Sequence, residues 1–103
     1  PTMTAALHLP TPLLPSAPLS AAAARPVLLK METVQHAGSF KIRGIGRFCA
    51  NRVADGARHL ISSSGGNAGA AVAHAAAALS VRATVLLPST TPPFMRERLG
   101  AAG

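Results

Sequence analysis

The chain has 103 residues, of which 49% are hydrophobic and 13% charged, enough for one modest domain and too apolar for a disordered tail. Ten Lys and Arg against three Asp and Glu give a formal net charge of +7, but the basic residues are scattered and there is no Trp or Tyr, which argues against a nucleic-acid partner. A single cysteine, Cys49, excludes an internal disulfide and points to a reducing compartment, the cytoplasm, and no apolar run reaches membrane-spanning length.

Pro10, Pro12, Pro15 and Pro18 make the first stretch extended or turn-like. Ser16 or Ala17 precedes a short helix through 18–24, with Pro18 in its first turn. "PVLLKME", 26–32, is an apolar run of strand length, and "VQHAG" reads as a loop. Ser39 is placed to cap a helix over 40–54, with Ile42, Ile45, Phe48, Cys49 and Val53 on one stripe and "DG" as its stop. "RHLISSS", 58–64, is the next strand, followed by the turn "GGNAG" and an alanine-rich helix over 68–79 with Val72, Ala76 and Leu79 on one face. "RATVLLP", 82–88, is a third strand. Thr91 and Pro92 open a last helix to about 99. Strand, helix, strand, helix, strand, helix with short links predicts an α/β fold, a parallel sheet with flanking helices in three layers.

Two stretches carry chemistry. In "GSFKIRG", 38–44, Lys41 falls in the first turn of its helix, where the partial positive charge disfavours an ammonium. Arg43 would add like charge, and Phe40 and Ile42 apolar cover, each lowering the pKa of the amine. A neutral lysine attacks carbonyls. The residues alone leave open an exposed lysine at a helix start. In "SSSGGNAG", 62–69, glycines and helix-start amides lie at the C-terminal end of a predicted strand, which suits an anion such as a carboxylate or phosphate. Ser64 and Asn67 add side-chain donors. The alternative there is a tight turn with no ligand. His8, His36, His59 and His74 show no metal-ligand spacing, and Cys49 belongs to the apolar stripe.

Taken together, "LKMETVQHAGSFKIRGIGRFC" and "SSSGGNAGAAVAHAAAALSVRATVLLPSTTP" closely resemble the N-terminal third of L-serine dehydratase and its serine dehydratase-like relatives, from about Leu7 to Gly103. These are pyridoxal 5'-phosphate (PLP) enzymes of the tryptophan synthase β-subunit fold. The resemblance implies that Lys41 carries PLP as a Schiff base and that Phe40 packs against the cofactor ring. It further implies that Ser64, Gly65, Gly66, Asn67 and Ala68 hold the substrate carboxylate, and that Asn67 also bonds the ring's phenolic oxygen. The implied reaction turns L-serine, and L-threonine, into an oxo acid and ammonia, in a full-length homodimer. The implied domains are 1–40, an N-terminal segment contributing to the large domain, and 41–103, most of the small α/β domain. The family's glycine-rich phosphate loop and the partner of the pyridine nitrogen fall outside these residues, so the isolated chain is expected to be inactive. Proline at residue 1 and the helix-like ending "LGAAG" fit a piece of a longer protein. A serine racemase or threonine dehydratase of the same fold is the nearest alternative. A basic non-catalytic binding module or an inactive fragment are alternatives of other classes.

Overall fold

A computed structural model describes residues 5–102 of the chain; Gly103 and residues 1–4 lie outside it. The proline-rich stretch runs extended and supplies a short strand, β1 (Leu13–Pro15). Ser16 then caps α1 (Ala17–Ala23), its Oγ accepting the Leu19 N–H, with Pro18 in the first turn, where its missing N–H costs nothing. The next strand, β2 (Leu28–Lys30), turns back antiparallel on β1, with Leu14 opposite Leu29.

This corrects the expectation that 26–32 is the first strand of a parallel sheet. Prolines hid the partner: Pro12 has no N–H, but its carbonyl accepts the Met31 N–H at 3.0 Å. Ser20 fixes the return, its Oγ accepting the Val27 N–H at 2.8 Å while the Ser16 N–H donates to the Val27 carbonyl at 2.9 Å.

After a 3-10 turn at Glu32–Val34 the chain enters α2 (Lys41–Ala54), β3 (His59–Ser62), α3 (Asn67–Ala78), β4 (Arg82–Val85) and α4 (Pro93–Ala102). β3 and β4 pair in parallel, Leu60 opposite Ala83, joined by α3 as the crossover helix. The α/β class with a parallel sheet and flanking helices is therefore as expected. The strands alternate: Leu60 and Ser62 are buried while His59 and Ile61 face outward, so among the described residues the helices cover one face of this pair.

The core joins Ile42 and Cys49 of α2, Leu60 of β3, Ala71, Ala75 and Ala76 of α3, and Ala37. α3 packs against α2, both parallel strands and α4. Hence Gly69, Ala70, Ala71, Ala73, Ala75 and Ala76 are all buried, a wider face than the three-residue stripe expected. Small side chains let these layers approach closely, at the cost of little buried area per residue. On α2 the expected stripe is largely correct, but Phe48 is 63% exposed. Gly46 and Ala50 take the buried places, because the N-terminal segment closes on that side: a β-carbon on Gly46 would lie 3.3 Å from Leu7 Cβ. Phe48 instead lies under the Arg52 guanidinium, 5.8 Å from its ring centre.

Candidate active site

Lys41 lies in the first turn of α2 as expected, and is its first residue, so the helix starts one residue later than a cap at Ser39 predicts. Ser39 does the capping one residue early. Its Oγ accepts the Lys41 N–H at 3.3 Å, while Phe40 takes the cap position with helical backbone angles and no side-chain bond. The turn ahead of them closes through the Gly38 N–H and the Gln35 carbonyl, 2.8 Å apart, and Gly38 has φ of +81°, a conformation that favours glycine.

Gln35 locks that turn to the N-terminal segment. Its Oε1 accepts the Leu9 N–H at 2.8 Å, and its Nε2 donates to the Leu9 carbonyl at 2.9 Å and to Glu32 Oε2 at 2.7 Å. Glu32 also accepts from Arg43 Nε at 2.7 Å and from the Thr11 hydroxyl at 3.3 Å. The Gln35 amide first, and then Arg43, hold the Glu32 carboxyl below its usual range. This knot corrects one expectation: Arg43 is paired with Glu32 and does not stand as an uncompensated charge beside Lys41. A second correction concerns Ile42, which is 1% exposed and belongs to the core, so it gives the amine no cover. Lys41 itself is exposed, and its Nζ stands 5.8 Å from the ring centre of Phe40, whose face attracts a cation.

The second stretch begins where β3 ends. Ser62 Oγ accepts the Ser64 N–H at 3.2 Å, and Ser64 Oγ accepts the Gly66 N–H at 3.3 Å, so the Ser64 hydroxyl proton remains available to a further acceptor. Gly66 precedes α3 without any side-chain cap, and the first-turn amides of a helix have no partner inside it. Asn67, the first residue of α3, is exposed, and its side chain makes no hydrogen bond among the described residues. Gly65 and Ala68 are half-buried. Leu87 backs the loop: a β-carbon on Gly65 would come within 2.6 Å of its Cδ2.

Gly69 is a residue that reading the loop as 64–68 missed. A β-carbon there would collide with the carbonyl oxygen of Ser64 and come within 3.2 Å of Val85. The available signal was a glycine in the first turn of a helix otherwise built from alanine.

Lys41 and Asn67 are thus each the first residue of one of two helices that pack together. A groove of about 540 Å³ joins α2 to the loop, lined by Phe48, Cys49, Ser63, Ser64 and Ala68 among others; Lys41 is not in its wall. A second cavity, between Leu7, His8, Arg43 and Arg47, includes no residue of the 64–68 loop. His36 and His74, far apart in sequence, stack with ring centres 5.4 Å apart. No helix among the described residues is long and apolar enough to cross a membrane.

A strand–glycine loop–helix unit packed beside a lysine-headed helix defines a class, and comparison with known proteins identifies it. The model of the pyridoxal-phosphate dependent enzyme family matches residues 5–103, and the chain belongs to that family. It is 53% identical over 96 residues to the human "Serine dehydratase-like" protein, covering 93% of this chain and 29% of that relative. It is 50% identical over 97 residues to human "L-serine dehydratase/L-threonine deaminase", covering 94% of this chain and 30% of the relative. The solved structure of a fungal L-serine ammonia-lyase from Rhizomucor miehei superposes with a TM-score of 0.81 at 34% identity, over 94% of this chain and 31% of that one. The chain spans about 30% of the length of these relatives.

Proposed function

We propose that the full-length protein containing this chain is a PLP-dependent ammonia-lyase that converts L-serine, and also L-threonine, to an oxo acid and ammonia. The observation that carries this reading is an exposed amine at the start of α2 and an uncapped, glycine-built start of α3, on two helices that pack together. The names of the matched relatives support it.

The residues present fit the cofactor. Lys41 offers an amine free of any ion pair among the described residues, and Phe40, 60% exposed, offers a ring face next to it. PLP supplies an electron sink for the substrate Cα, a chemistry no side chain provides. In this reading Lys41 would hold the cofactor aldehyde through Nζ and would offer the same atom, as a free amine, to the substrate Cα proton. Phe40 would pack against the cofactor ring, and Asn67 would donate to its phenolic oxygen. The Ser64 hydroxyl and the first-turn amides of α3, reached past Gly65, Gly66 and Ala68, bind the substrate carboxylate. Residues 1–40 would contribute to the large domain and 41–103 to the small one. The full-length enzyme is read as a homodimer, as the resemblance implies, and as cytoplasmic, which the free, buried thiol of Cys49 fits.

The test is borohydride reduction of the full-length protein with PLP, peptide mass mapping, and product analysis on L-serine. An adduct on Lys41 with release of pyruvate and ammonia is expected. An adduct on Lys30, or none, would overturn the reading, and D-serine as main product would turn it toward a racemase.

A further inference from the structure

The turn that presents Lys41 is held from three sides. Gln35 ties it to Leu9, His36 stacks on His74 of α3, and Arg98 reaches it from α4. The third contact spans the longest sequence separation. Arg98 Nη2 donates to the carbonyl of Ala37 at 3.1 Å, and Ala37 is buried. The guanidinium lies directly over Gly38: a β-carbon there would stand 2.8 Å from the same Nη2. So the glycine serves two ends at once. It supplies the left-handed turn at φ +81°, and it leaves room for the arginine to reach the carbonyl behind it.

We propose that Arg98 is a positioning residue for Lys41: it clamps the 35–38 turn to α4 and so fixes the start of α2 from which the amine projects. The proposal rests on the reading of Lys41 as the cofactor lysine. Three residues separate Ala37 from Lys41, and Ser39 passes the constraint on, because it is itself buried and its Oγ accepts the Lys41 N–H. Precise placement of a reacting group is where small displacements cost rate. Leu87, which touches Gly65, lies in the segment that leads into α4.

The test uses the full-length protein with Arg98→Met, which keeps an apolar stem and loses the donor, and Arg98→Lys, which keeps a donor. Each is assayed below its own melting temperature. Two readouts are taken: amide hydrogen exchange across residues 35–41 without cofactor, and the rate of PLP attachment to Lys41 trapped by borohydride. Loss of a charge-assisted hydrogen bond to a buried carbonyl predicts about tenfold faster exchange and about tenfold slower attachment in R98M. R98K should recover most of both. The kcat on L-serine should fall with attachment while KM stays within about twofold, because the substrate loop is not touched. Exchange and attachment in R98M equal to those of the unsubstituted protein would overturn the clamp. Absence of any Lys41 adduct in the unsubstituted protein would instead overturn the reading of Lys41, a separate failure.

Discussion

The carbonyl oxygen of Ser64 sits against the Cα of Gly69, in the space that a β-carbon would fill. That contact folds the loop back on the first turn of α3. Val85 Cγ1 of β4 would lie 3.2 Å from the same β-carbon. Gly69→Ala should therefore destabilise the protein by about 3 kcal/mol, the upper end for overpacking, and weaken serine binding with it. Chemical denaturation of the full-length enzyme reads the first effect and KM the second. An alanine variant of unchanged stability would show that the loop has slack.

Lys41→Ala removes the amine and little else, since the side chain is exposed and takes no part in the core. Stability should be unchanged. Turnover of L-serine should fall by at least about 10²–10⁴-fold, the range for loss of a positioned acid–base group, and covalent attachment of PLP should vanish. Steady-state kinetics and intact-mass measurement after reduction check both.

The proposed reading gives Ser64, in the loop, and Asn67, at the start of α3, different tasks, so their variants should fail differently. Ser64→Ala loses one donor to a charged group, worth about 1.5–3 kcal/mol, which corresponds to a rise in KM of about 10- to 100-fold at nearly constant kcat. Asn67→Ala should lower kcat and shift the visible absorption band of the bound cofactor, because the proposed reading has it bond the cofactor ring. Kinetics and a visible spectrum of each variant separate the two. An Asn67→Ala enzyme with unchanged kcat and spectrum would remove this residue from the cofactor site.

The His36–His74 stack makes stability depend on pH. Burial in the α3 packing, and then the like charge of His36, hold the His74 imidazole below its ordinary 6.5. Arg98, bonded to the carbonyl of Ala37 next to His36, adds no anion that would favour protonation. In the unfolded chain His74 takes up its proton more readily than in the native state. Its contribution to stability is thus complete above pH 6.5 and is lost as the pH falls toward the depressed native value. Melting temperatures of the full-length protein measured between about pH 8 and pH 5 should drop on the acid side, and His74→Gln should flatten that slope.

The 103-residue chain alone exposes Phe40, Phe48, Ile61 and Phe94, each 60% or more accessible, and the outer face of β3 and β4 carries no helix among the described residues. Expressed by itself, it should self-associate in light scattering and show no serine dehydration. A monomeric chain that melts cooperatively and releases pyruvate would contradict this.

Local rules were enough for most elements. Pro18 and Ser16 mark α1, "DG" marks the end of α2, and the glycine-rich turn marks the start of α3, because caps, turns and breakers act over a few residues. The two chemical stretches were legible for the same reason: an amine or a run of glycines at a helix start is a short-range pattern. Three things depended on contacts between distant residues. β2 pairs with a proline-rich strand that carries no strand signal of its own. Arg43 spends its charge on Glu32, eleven positions earlier, and so does not press on Lys41. Arg98 reaches Ala37 across 61 residues. A helix period or a cap motif states what a residue can do next to its neighbours. Which charge is cancelled, and where a β-carbon has no room, is decided by the packing of elements that the chain brings together only when folded.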